Sequence, residues 1–157
     1  MNNNLSVYLN DHFAGSAAAL ELINNLIQSK PEAELEIFFK DLHDEIQADQ
    51  DALKKLMDRL GISENKLKSG TAWFMEKVGR IKLDNANENE LGLLESLEGL
   101  VLGITGKKGL WRALSVVIRP EAALTGIDFE LLEMRASEQC KAVEIKRMEA
   151  ARRILTQ

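Results

Sequence analysis

The hydrophobic pattern of the chain is clearest in residues 35–60, which read LEIFFKDLHDEIQADQDALKKLMDRL. Here apolar residues recur at alternating steps of four and three, which is the spacing of a helix face that packs into a bundle. The positions on this seam are Leu35, Phe39, Leu42, Ile46, Asp49, Leu53, Leu56 and Leu60. Pro31 suits the first turn of such a helix, and Gly61 predicts its end as a left-handed cap.

Helical patterns also cover most of the chain on either side of this seam. We predict a first helix over residues 5–29, before the seam helix. A short third helix, a fourth helix and a last helix are predicted over residues 63–83, about 88–118 and 127–155. The polar residues 84–89 predict a loop, and Pro120 predicts the end of the fourth helix.

The composition indicates one helical domain over residues 1–157. Apolar residues make up 45% and charged residues 29%, near the globular average, so the chain is long and apolar enough to bury a core. Only 2 prolines and 5% aromatic residues favour helices over a β-sandwich. The sequence therefore predicts an all-α fold.

The net charge and the single cysteine indicate which partners and which cellular compartment we expect. The formal net charge of −5 argues against nucleic acid as the main partner. A single cysteine, Cys140, allows no intramolecular disulfide, and the start of the chain lacks the pattern of a signal peptide. No apolar stretch is long enough to span a bilayer. We therefore expect a cytoplasmic protein with no membrane partner.

The predicted connections differ in length. Short turns join the first helix to the second and the fourth to the last, so each pair should be antiparallel. The connection between the second and fourth helices is long and contains the short third helix. Such a crossover lets these two helices run in the same direction.

Several polar residues interrupt the predicted apolar faces, where a carboxylate is costly unless it is paired or bound to a metal. They are Tyr8 and His12 on the first helix, Glu45 and Asp49 on the second, Glu98 on the fourth and Glu138 on the last.

This connectivity and these residues resemble the ferritin-like superfamily, in a bacterial branch that lacks the Glu-x-x-His motifs. The resemblance implies a ferritin-like up-down four-helix bundle with a long crossover carrying a short extra helix. It also implies a carboxylate-rich site for iron or manganese, with Tyr8 nearby and an oxidation or storage role. The implied ligands are His12, Glu45, Asp49, Glu98 and Glu138. The chain departs from the family pattern because Glu-x-x-His, which di-metal sites use on two helices, occurs nowhere in it.

Structural interpretations of the same residues stay open. Asp49 could pair with a buried lysine or arginine as a device that sets the helix register. His12 could bond a carboxylate, and Glu138 could face solvent if the last helix is rotated by one position. Counting from the turns places His12 and Asp49 at one level of the bundle, whereas Glu98 and Glu138 are offset by about 10–15 Å.

The fourth predicted helix contains an unusual glycine stripe, followed by basic residues. The stripe consists of Gly99, Gly103, Gly106 and Gly109, with Lys107, Lys108, Trp111 and Arg112 beside or after it. Glycine costs about 1 kcal/mol relative to alanine inside a helix. The stripe therefore indicates either close packing or a helix break, or a pocket for an anionic ligand.

No Ser-His-Asp, zinc or dinucleotide signature can be assembled from the sequence. We therefore expect a non-enzymatic bundle that acts through contacts of its helix faces, as a homodimer. Iron or manganese binding is the alternative.

Overall fold

The computed structural model describes residues 3–64, 90–117 and 126–156. Within them the chain forms four helices and no strand: α1 (Asn3–Gln28), α2 (Ala33–Arg59), α3 (Glu90–Val117) and α4 (Phe129–Leu155). The all-helical prediction is confirmed, with α3 and α4 corresponding to the fourth and last predicted helices. Apart from its first two residues, the predicted third helix lies outside the described residues, as does the loop at residues 84–89. None of the four described helices is long and apolar enough to cross a bilayer.

The end of α2 forms as the sequence predicts. Gly61 has a φ of +66°, the left-handed conformation that glycine adopts without strain. Its N–H donates to Asp58 O at 3.1 Å, and the N–H of Ile62 donates to Met57 O at 2.9 Å. These two bonds satisfy carbonyls that the helix end would otherwise leave without donors.

The bundle is built from antiparallel neighbours. α1 packs against α2 and α3, and α3 packs against α4. Side chains join α2 to α4, where Lys146 donates to Glu34 near the start of α2 and Gln139 donates to Asp49 further along it. Since α4 runs opposite to both α2 and α3, these two helices point in the same direction. That direction is the one expected from a long connection between them.

The core lies where the helix faces predicted from the sequence meet. The α2 seam is buried from Phe39 to Leu56 and includes Asp49, and only its end positions are half-exposed. Tyr8 departs from the prediction, since it is exposed. The largest fully buried side chains are Trp111, Phe39, Leu9, Leu22, Ile23, Leu56, Met57, Leu97, Leu100, Leu110 and Leu114.

Candidate functional site

Asp49 is the centre of a buried polar cluster that joins three helices. Its side chain is only 1% exposed. Lys107 Nζ of α3 lies 2.5 Å from Asp49 Oδ2, and Gln139 Nε2 of α4 donates to the same oxygen at 3.1 Å. Arg135 Nη2, also of α4, lies 3.1 Å from Oδ1. These four residues form the Asp49 cluster, in which the side chains of Lys107 and Arg135 compensate the negative charge of the carboxylate.

The helices place the members of this cluster together through their spacing. Arg135 and Gln139 are four residues apart, so they lie one above the other on one face of α4. Lys107 also donates to Gln139 Oε1, which closes a ring of contacts with Asp49. Burial lowers the pKa of Lys107 below its usual value, because the charged ammonium loses solvation, while Asp49 acts in the opposite direction.

A cavity of about 370 Å³ opens between α1, α2 and α3 beside this cluster. Its lining is mostly apolar or glycine: Gly15, Ala19, Ile46, Leu53, Leu102, Gly103, Ile104, Gly106, Leu110 and Trp111. The polar lining consists of Asp11, His12, Ser16, Asp49, Gln50 and Lys107. Two of the predicted stripe glycines, Gly103 and Gly106, thus line open space. A Cβ added at Gly106 would meet no atom within 4 Å.

Several hydrogen-bonding groups of this pocket already have partners. Gln50 Nε2 donates to Ser16 Oγ at 2.9 Å, which ties α2 to α1 beside the cavity. Trp111 differs, because it is 1% exposed and its Nε1 has no hydrogen-bond partner in the described part of the chain. An unpartnered buried donor is uncommon in folded proteins and costs desolvation free energy.

His12 contributes an imidazole to the pocket from α1. Burial lowers its pKa below the usual 6.5, because the charged form loses solvation, and Asp11 partly opposes the shift. The ring packs edge-on against Tyr8, with centroids 4.7 Å apart. The neutral form of His12 therefore predominates at pH 7, and it can both donate and accept a hydrogen bond.

The structure does not bring the five implied metal ligands together. Only His12 and Asp49 line the cavity, while Glu45 is exposed. Arg147 lies 3.5 Å from Glu98, and Lys141 lies 2.9 Å from Glu138. Across residues 3–64, 90–117 and 126–156, no three histidine, cysteine, aspartate or glutamate side chains group so as to hold a metal ion.

The chemistry of Asp49 also disagrees with a metal centre. Its two oxygens already face Lys107 and Arg135, and these positive charges would repel a divalent cation placed beside them. The residues present therefore do not fit the iron or manganese site that the ferritin-like resemblance implies.

The sequence pattern did not single out two members of the cluster, Arg135 and Gln139. The metal-site interpretation instead placed Glu138 inward on the same helix. A signal was present, because Gln139 continues the spacing of the buried residues Leu132, Ala136 and Val143. The helix is rotated by one position relative to the metal-site interpretation, and Glu138 faces solvent.

No family model, curated protein or solved structure matches the chain. A fold supports many functions, so the chemistry of the pocket carries the functional argument.

Proposed function

We propose that this protein is a non-enzymatic binding protein that takes a small organic molecule into the pocket between α1, α2 and α3. Its ligand has a largely apolar body and a hydrogen-bond acceptor, such as a carboxylate or an amide carbonyl. The observation that carries the proposal is a mostly apolar cavity of about 370 Å³ whose lining includes the ammonium of Lys107.

The size and lining of the cavity support this function. Ligand pockets of proteins usually enclose roughly 300–1,000 Å³ and combine apolar walls with a few polar groups. Here leucine, isoleucine, alanine and glycine make most of the wall, and the polar groups of His12 and Lys107 join it. Burial of an apolar body against such walls stabilises the complex through the hydrophobic effect.

Lys107 indicates the polar group of the ligand. The ammonium of Lys107 has three N–H donors. Asp49 and Gln139 accept two, and the third has no acceptor among the described residues. A ligand acceptor would bond this third donor, whereas a ligand ammonium would leave it unpaired beside a positive charge.

Calorimetric titration with a matched series of ligands tests the proposal. The probes are 3-phenylpropionate, 3-phenylpropionamide and 3-phenylpropylamine, which share an apolar body and differ in the polar group. We expect the acid and the amide to bind and the amine to bind at least about tenfold more weakly. Equal binding of the amine, or no binding of any of the three, would overturn the proposal.

Two glycine variants locate the binding site. Gly106→Leu places a side chain at the cavity, whereas Gly109 is an exposed glycine of the same helix outside its lining. A Cβ meets no atom within 4 Å at either position, so both variants should fold. We expect Gly106→Leu to lose binding and Gly109→Leu to keep it. Equal affinity of both variants would place the ligand elsewhere and reject the pocket.

We further propose that the bundle has ferritin-like topology and works in a bacterial cytoplasm. The shared direction of α2 and α3 supports the topology. A single cysteine, Cys140, suits a reducing compartment. Iron or manganese storage is not part of the proposal, since Asp49 faces two cations.

A further inference from the structure

α4 carries an apolar stripe on the face that points away from the core. It contains Leu131, Met134, Ile145 and Met148, with Glu138 and Lys141 between the two apolar pairs. We name these six residues the outer α4 stripe. Their spacing alternates steps of three and four, the repeat of the a and d positions of a coiled coil.

Within residues 3–64, 90–117 and 126–156, the bundle does not use this stripe for its own packing. The core face of α4 consists of Leu132, Ala136, Gln139, Val143 and Ala150. At 100° per residue the outer α4 stripe lies on the opposite side of the helix. Met134 is 56% exposed and Ile145 is 59% exposed, so their apolar surface remains in water.

The order of residues in the stripe is self-complementary when reversed. Two apolar residues are followed by an acid, a base and two more apolar residues. A second α4 in antiparallel orientation would place the partner's Met148 against Leu131 and the partner's Ile145 against Met134. The same register places the partner's Lys141 against Glu138. Every apolar residue then meets an apolar residue, and every charge meets the opposite charge.

We propose that the protein forms a two-fold symmetric dimer through the outer α4 stripe, with the two copies of α4 antiparallel. A two-fold axis between positions 139 and 140 generates all of the pairs. Contacts from residue 131 to residue 148 span about 27 Å at 1.5 Å per residue. This short seam would give a reversible dimer with a dissociation constant in the micromolar range.

Other arrangements of the second copy match less well. A parallel dimer would place like charges opposite each other at both charged positions, which destabilises the interface. An antiparallel register shifted by one heptad would place the partner's Met148 against Glu138 and the partner's Ile145 against Lys141. Charge complementarity therefore selects one orientation and one register.

Sedimentation velocity over a range of protein concentrations tests the dimer. We expect wild type to shift reversibly from monomer to dimer and Met134→Glu to remain monomeric. Ile37→Glu, which changes an exposed apolar residue of α2, is the matched control and should still dimerise. A wild type that stays monomeric up to about 0.5 mM, well above a micromolar dissociation constant, would overturn the proposal. Equal loss in both variants would also overturn it.

A charge exchange tests the pairing between Glu138 and Lys141. Lys141→Glu alone and Glu138→Lys alone each place like charges across the two-fold axis, so each should be monomeric. The two proteins mixed together should form a heterodimer, and the double exchange in one chain should restore the homodimer. Undiminished association of both single variants would reject the register.

Disulfide crosslinking tests the orientation. In a Cys140→Ala background, Met134→Cys combined with Ile145→Cys should crosslink two chains on oxidation. Met134→Cys alone should not, because the two copies of position 134 would lie about 16 Å apart along the seam. Crosslinking of that single variant would reject the antiparallel arrangement. α4 contributes no residue to the pocket lining, so the dimer and the proposed ligand site succeed or fail separately.

Discussion

Asp49 Oδ2 and Lys107 Nζ lie 2.5 Å apart inside the bundle, although 58 residues separate them in the chain. A buried ion pair gains Coulomb energy but loses the hydration of both charges, so its net stabilisation is small. The ion pair has a stronger effect on alternative registers of the two helices, which it disfavours. A shift of α3 along α2 would bury the Asp49 carboxylate without its cation, and this cost favours one register of the two parallel helices.

The first prediction concerns the stability that depends on Asp49. We expect Asp49→Ala to lower the free energy of unfolding by about 3–5 kcal/mol, because Lys107 and Arg135 would be left without their buried counter-charge. Asp41→Ala, an exposed change in the same helix, should stay within about 0.5 kcal/mol of wild type. Urea unfolding followed by circular dichroism measures both, and equal values would contradict the burial of Asp49.

The second prediction concerns metal removal. Dialysis against EDTA should leave the Tm of the freshly purified protein unchanged, because the cations of Lys107 and Arg135 lie within ion-pair distance of the two oxygens of Asp49. A divalent ion bound there would have to displace these two cations. A fall in Tm that added manganese or ferrous iron reverses would restore the metal-site interpretation.

The third prediction concerns acid stability and His12. Burial holds the pKa of His12 below 6.5 in the folded protein, so on acidification the unfolded chain takes up this proton first. The resulting loss of stability begins near pH 7 and is complete once the pH is below the folded-state pKa. We expect wild type to lose more stability than His12→Gln between pH 7.5 and pH 5. Parallel curves in urea titrations would contradict the burial of the imidazole.

The fourth prediction concerns the unpartnered donor of Trp111. Trp111→Phe removes the unpaired Nε1 donor, and the end of its desolvation cost offsets part of the lost packing. The free energy of unfolding should therefore change by no more than about 1 kcal/mol. Leu114→Ala, which removes buried methyl groups from the same helix, should cost about 2–5 kcal/mol. Thermal unfolding compares the two. A similar cost for both variants would indicate that Nε1 has an acceptor in solution.

The sequence is most informative where a local rule determines the structure. The α2 seam and the Gly61 cap follow from the spacing and chemistry of neighbouring residues, and the structure confirms both. The rotation of α4 was harder to assign, because Glu138 and Gln139 are adjacent polar residues and a turn of 100° exchanges which one faces inward. Only the packing of Leu132 and Val143 settles that choice.

The pocket was predictable only in part. The glycine stripe around Lys107 predicted either close packing or a helix break, or a pocket for a ligand. The sequence could not show that Lys107 meets Asp49, because pairing between distant helices depends on their relative height and rotation. The five implied metal ligands lie apart in the described structure for the same reason. In a sequence, a carboxylate that could bind a metal looks the same as one in a surface ion pair, such as that of Glu98 with Arg147. Only the positions of the cations distinguish the two.

The Asp49 cluster also has a consequence for how the chain acquires its structure. During synthesis, the residues of the α1–α2 hairpin are translated before Lys107, Arg135 and Gln139. Until then the hairpin has a carboxylate on its apolar face with no counter-charge, which discourages it from collapsing early onto itself or onto another nascent chain. Arrival of the second hairpin supplies the missing charges, so both halves should become ordered in one cooperative step.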